Sequence, residues 1–154
     1  MSDVSQLSIE LWMPLDHYVA ISFGGTHINS DMICFVTSQS NIHTVFDMYS
    51  STWDDPVMDD NDDLEWLVSN DDYPLIKFSV IRSLDTGDIQ DYAVALEEVT
   101  RMGFAIRNSG VLEEDNGGVV RFGGHTRHGF FDMIVHEYAS DVTENTSYWP
   151  VYVN

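Results

Sequence analysis

The chain has 154 residues, 44% of them apolar and 12% aromatic, which suits one domain with a core of its own. Its 26 acidic and 6 basic residues leave a formal charge of -20. That balance excludes nucleic acid and anionic membrane surfaces as partners, because phosphate binding needs clustered lysine and arginine, and it favours solubility and basic partners. No apolar run is long enough to cross a bilayer, and the opening MSDVSQLSIE lacks the basic and apolar regions of a signal peptide. The single cysteine, Cys34, excludes an internal disulfide and the Cys-x-x-Cys-His attachment motif.

Taken in order, residues 7–12 and 17–23 read as strands, with Val19, Ile21 and Phe23 on one face. A turn-rich corner, Gly24-Gly25-Thr26-His27-Ile28-Asn29-Ser30-Asp31, leads into an apolar strand over 32–37. A polar link over 38–41 and a further strand over 43–49 complete a β-meander. Residues 51–73 carry nine acidic side chains: Asp54, Asp55, Asp59, Asp60, Asp62, Asp63, Glu65, Asp71 and Asp72. A strand over 64–68 is expected within this span. The EF-hand spacing fails there, since neither its glycine nor its terminal glutamate is in place, so a solvated acidic loop is expected.

The stretch 78–94, FSVIRSLDTGDIQDYAV, reads as a strand, a corner and a second strand that ends over 93–97. Ile76, Phe78 and Val80 alternate with Lys77 and Ser79, and Arg82 falls on the apolar parity. A buried guanidinium needs carboxylate partners, which predicts Arg82 held among Asp85, Asp88 and Asp91 with Gly87 making the turn. Strands follow over 102–107, with Phe104 and Ile106 on one face, over 119–122, and over 130–138. An acidic turn is expected at 113–118, and the second glycine corner is Gly123-Gly124-His125-Thr126-Arg127-His128-Gly129. The tail over 139–154 holds an Asn145-Thr146-Ser147 sequon, which matters only in a secreted protein. No helix-period segment exceeds about two turns, and eight or more short strands recur between turn signals, which predicts a single all-β domain built as an antiparallel sandwich.

Of the six histidines, His27 and His125 share a setting, each just after a glycine pair at a strand end. Glycine lets the backbone approach a bulky planar ligand, and imidazole is a common neutral metal ligand, so two corners could grip one iron. Ordinary loop histidines fit the same spacing, and His125-x-x-His128 could hold zinc, although the further Cys and His ligands zinc usually takes are missing. Nucleophilic motifs, P-loops and dinucleotide fingerprints are absent, Cys34 lies in an apolar strand as an inert thiol would, and proximity selects no glycosidase pair of carboxylates.

The run Tyr18-Val19-Ala20-Ile21-Ser22-Phe23-Gly24, then Asn29-Ser30-Asp31-Met32, then Phe78 through Arg82 with Leu84-Asp85-Thr86-Gly87-Asp88 and Asp91, is similar to the DOMON domain. Gly124-His125 followed by Arg127 and Gly129 is similar too, so the resemblance spans most of residues 7–138. It implies an immunoglobulin-like antiparallel β-sandwich that binds haem b or, in other members, sugars. Among the haem-binding relatives are the cytochrome domains of cellobiose dehydrogenase-like proteins, with a methionine and a late histidine as axial ligands. The late histidine maps onto His125, with His128 as the alternative, and the methionine position maps onto His27. This departure implies bis-histidine ligation of a non-covalent haem b iron and a lower reduction potential than the methionine form.

Phe23, Met32, Phe131 and Met133 are then candidate pocket walls, although core packing accounts for each equally well. The implied function is electron transfer without catalysis, to or from a redox partner with a basic docking surface. No membrane insertion is expected, and the site is extracellular or topologically external by family habit. The first strands of typical members are shortened here, which implies a part or subunit of something larger. The alternative is a haem-free carbohydrate- or protein-binding module, with Trp53 and Trp66 to stack on sugar rings.

Overall fold

The structure, a computed structural model, describes residues 6–38, 42–53, 56–108, 112–114, 120–122 and 124–136. Among these residues there are eleven strands and no helix. They are β1 (Gln6–Met13), β2 (His17–Phe23), β3 (Ser30–Thr37), β4 (His43–Ser50), β5 (Val57–Met58), β6 (Glu65–Ser69), β7 (Ile76–Ser83), β8 (Val99–Arg107), β9 (Leu112–Glu114), β10 (Val120–Phe122) and β11 (Arg127–Ile134). Six of them form a sheet in the order β11-β8-β2-β3-β4-β5, three form a second sheet in the order β1-β7-β6, and β9 and β10 make a separate hairpin. All of these pairings are antiparallel, and the architecture is the expected β-sandwich.

The core lies between the two sheets. Phe23, Ile33, Phe35, Val45 and Met102 from the larger sheet meet Met13, Ile76, Phe78 and Val80 from the smaller one. Phe35 and Phe78 pack edge to face with ring centroids 5.7 Å apart. Strand β7 shows why the alternation was readable: Ile76, Phe78, Val80 and Arg82 are buried while Lys77, Ser79, Ile81 and Ser83 are at least partly open. On the open side Lys77 pairs with Glu10 at 2.7 Å and lies 5.0 Å over the Trp12 ring.

The larger sheet is also covered in part on its second face. Tyr18, Met32, Cys34, Val36 and Met48 form a separate buried cluster there, packed by Ala20, Phe46 and Ala105. This is why every residue of β3 is buried, including Ser30, Asp31 and Thr37. Burial pushes the Cys34 thiol far above its ordinary value, so it is an inert packing group.

Arg82 is 2% exposed, as its parity predicts, but its principal partner is different. It pairs with Asp31, 51 residues away on β3, and only more loosely with Asp91 at 3.9 Å. Its remaining donors reach the carbonyls of Tyr92 at 3.1 Å and Ser83 at 3.2 Å, and the guanidinium lies 4.5 Å over the Phe23 ring. Asp85 and Asp88 instead close the turn, accepting from the backbone N–H of Gly87 and Gln90 at 3.0 and 2.8 Å. A local search had no means of finding Asp31, because the pairing crosses from one sheet to the other.

The second strand expected over 93–97 does not form. Val94 bonds to Leu84 at 2.7 Å, Leu96 makes one isolated parallel bridge to Val135, and Glu97 has φ of 60°. The arginine holds the chain at Tyr92 and the left-handed residue at 97 turns it away before a ladder can extend. Part of the expected 113–118 turn belongs to β9, and the last strand runs over 127–134 rather than 130–138. Residues 137 and 138 of that expectation, and the sequon, lie outside the described residues.

Candidate functional site

The site is built from the two glycine corners and the outer face of the larger sheet. The corner after β2 needs left-handed backbone at Gly24, Gly25 and Asn29, with φ of 89°, 67° and 52°. Gly25 also meets Arg101 so closely that a Cβ there would lie 2.5 Å from its Cγ. Thr26 donates its hydroxyl to the Ile28 carbonyl at 2.7 Å, Ser30 donates to the Thr26 carbonyl, and Tyr49 donates to Asn29 Oδ1 at 3.1 Å. His27 is therefore carried on a braced turn. Its imidazole lies parallel to the indole of Trp53, with centroids 5.7 Å apart and planes 1° apart.

The second corner is fixed from β8. The Thr126 N–H and hydroxyl both donate to the Ile106 carbonyl, at 2.8 and 3.0 Å, and Arg107 donates to the Gly124 carbonyl at 2.7 Å. His125 follows directly, with its ring centroid 4.7 Å from that of His128 and nearly perpendicular to it. Partial desolvation lowers the His125 pKa below the ordinary histidine value, and the charges of His128 and then His27 act in the same direction.

Cross-strand register defines the surface beside them. One row runs Phe46, Cys34, Ala20, Ala105, His128, and the next runs Met48, Met32, Ser22, Gly103, Phe130. The centre of both rows is made of small side chains, with larger ones on either side. At Gly103 an added Cβ would collide with Ser22 Oγ and stand 3.5 Å from the Phe130 ring. The rim carries Arg101, 5.3 Å over Phe130 and 3.3 Å from Asp132.

The structure sets His125 against His128, stacks His27 on Trp53 at the other corner, and places Met32 on the outer face in register with Ser22. Three other candidate walls fall elsewhere. Phe23 is wholly buried in the inner core under Arg82, and Phe131 and Met133 take the opposite parity of β11, facing the side of Met102 and Thr100. Of the other histidines, His17 bonds the Leu15 carbonyl at 2.7 Å and His136 pairs with Glu97 at 2.8 Å. Sequence reasoning missed the small-residue rows, whose signal was the alternation of Ala20 with Ser22 and of Gly103 with Ala105. It also missed the stack of Trp53 on His27, which has no local signal.

A separate acidic cluster lies at the inner edge of the larger sheet. Oxygens of Asp31, Asp47 and Asp91 all fall within 4.8 Å of one another. Burial pushes the Asp47 carboxyl up to about 7, opposed by a hydrogen bond from the Asp63 N–H and reinforced by Asp91, Asp31 and Asp59. Asp31 is also raised by burial, with the Arg82 guanidinium opposing.

No protein-family profile and no curated protein matches the chain. Solved structures do share its fold. The cytochrome b domain of pyranose dehydrogenase from Coprinopsis cinerea is similar with a TM-score of 0.63 and 10% identity, over 84% of this chain and 67% of that one. The cytochrome domain of Myriococcum thermophilum cellobiose dehydrogenase is similar with a TM-score of 0.57 and 14% identity, over 87% of this chain and 68% of that one.

Proposed function

We propose that the chain is a b-type cytochrome domain that holds one non-covalent haem through His27 and His125 and exchanges single electrons with a redox partner. The observation that carries this reading is a fold similar to that of two cytochrome domains, with His27 and His125 each following a glycine at a corner of the larger sheet and His128 in ring contact with His125. The residues present fit the group. Two imidazoles suit iron, a planar macrocycle needs a face without bulky side chains, and Ala20, Ser22, Gly103 and Ala105 supply one beside His128. Met32 and Phe130 lie on the same face as apolar neighbours.

His27 and His125 would hold the haem, which would supply a one-electron redox change, and with both imidazoles bound there would be no site left for a substrate. The protein's work is to orient the two ligands through their braced corners and to give the ring an apolar surface. No residue is assigned a catalytic role.

The test is the absorption spectrum of the haem-loaded protein, oxidised and dithionite-reduced. Sharp low-spin α and β bands are expected, lost in both His27→Ala and His125→Ala. A protein that stays colourless after haem reconstitution defeats the reading. Loss of the bands in His128→Ala alone moves the second ligand to His128. A haem-free carbohydrate-binding module is the second reading, favoured by Trp66, 37% exposed beside Ser8, Glu65 and Ser79 in a groove of about 310 Å³ on the smaller sheet. That reading predicts oligosaccharide binding by the colourless protein, weakened in Trp66→Ala.

A further inference from the structure

Trp53 is 77% exposed, about twice the exposure of Trp12 at 41% or Trp66 at 37%. An indole left in water forgoes the favourable burial of a large apolar ring, so a position this open contributes little to folding and has its surface available for association. It is nevertheless ordered against one neighbour, the imidazole of His27, by parallel stacking. We propose that Trp53 is the contact through which a basic one-electron redox protein docks at the haem site, an inference that rests on the reading given above.

Three features of the molecule converge on this. The first is contiguity: the indole and the His27 ring are neighbouring π systems, so a partner resting on Trp53 is one side chain away from a proposed axial ligand. The second is the chemistry of the ring. Its face attracts the cations of arginine and lysine, and tryptophan is enriched among the residues that dominate protein interfaces. The third is charge. The chain returns from Trp53 along β5 into Asp59, Asp60, Asp62 and Asp63, the last three of them exposed, in a molecule of formal charge -20. A basic surface is complementary to that segment, and attraction over this range raises the encounter rate in a salt-dependent way. With haem held by His27 and His125, a productive encounter would pass one electron from the partner's reduced metal centre to this protein, and Trp53 would seat the partner for it. No bond forms or breaks and no proton moves.

The experiment uses a small basic c-type cytochrome as the probe. Electron exchange with the haem-loaded protein is followed by stopped flow, and binding of the oxidised probe to the haem-free protein by calorimetry. Trp53→Ala is expected to slow exchange and weaken binding at least 10-fold while the absorption bands keep their positions and heights. Trp53→Phe is expected to restore most of both, and in the parent protein both fall as salt is raised. Parental exchange and binding in Trp53→Ala overturn the proposal. So does loss of the bands in that variant, which makes Trp53 a brace for His27. Loss of cello-oligosaccharide binding with probe binding intact overturns it as well, in favour of a glycan contact. A parent without haem bands shows instead that the cytochrome reading has failed.

Discussion

Arg82 lies 2% exposed between the sheets, and what it leaves behind on removal is worse than what it contributes when present. Arg82→Ala strands the Asp31 carboxylate with only the Tyr92 N–H, at 3.0 Å, and leaves Asp91 beside it. Breaking a buried pair in this way costs about 3–5 kcal/mol. Chemical denaturation is expected to show that loss, while any haem-loaded fraction that folds keeps the parental spectrum, because Arg82 belongs to the inner core and His27 and His125 to the corners outside it. A spectrum altered in the folded fraction contradicts this division.

Asp47 makes the opposite kind of contribution. Its carboxyl is raised from 3.8 to about 7 in the folded state, mainly by burial. The folded chain therefore keeps a proton that the unfolded chain releases as pH rises from about 4, and stability falls across the window up to about 7. Below that window the stabilising contribution is fully present, and above it the folded protein carries a buried charge. Asp47→Asn, which can still accept from the Asp63 N–H, is expected to flatten the fall between pH 4 and 7 and to raise stability at pH 8 by about 1–3 kcal/mol. Urea titrations at a series of pH values measure this, and an unchanged slope contradicts it.

At the scale of elements, β8 is the strand that touches both halves of the site. It pairs with β2 on one side and β11 on the other, so its outward residues Gly103 and Ala105 occupy the middle of the small-residue rows. A side chain at 103 meets Ser22 Oγ at once, and overpacking of this kind costs about 1–3 kcal/mol. Gly103→Val is expected to lower the stability by that amount and to weaken haem retention at least 10-fold beyond what the stability loss explains. Haem transfer to an acceptor protein measures the second effect, and parental retention would remove the outer face from the site.

The strands themselves were largely legible. β2 was read to the residue, and β1, β3, β4, β6 and β7 to within two residues at each end, because period-two alternation and the glycine, proline and aspartate turns are local signals. The strand read over 93–97 failed because its end conditions were not in its own alternation: the buried Arg82 side chain holds the Tyr92 carbonyl, and Glu97 takes a backbone conformation unusual for its type. Likewise β9 was hidden, since Leu112-Glu113-Glu114 has the composition of a loop and gains its ladder only by pairing with β10.

For the molecule as a whole, composition and alternation determined an acidic all-β sandwich, since a chain with strand periods and no helix period can bury its apolar faces only by packing sheets. The corner that carries His27 was visible too, because Gly24 and Gly25 mark positions that other residues adopt at a cost. Which residues share a face across strands was decided only by the tertiary structure. Antiparallel register set Gly103 against Ser22 and Ala105 against Ala20, sent Phe23, Phe131 and Met133 to the inner side, and joined Arg82 to Asp31. Those relations link residues tens of positions apart. They depend on sheet order and on the one-residue alternation of each strand against its neighbour, which no local pattern contains.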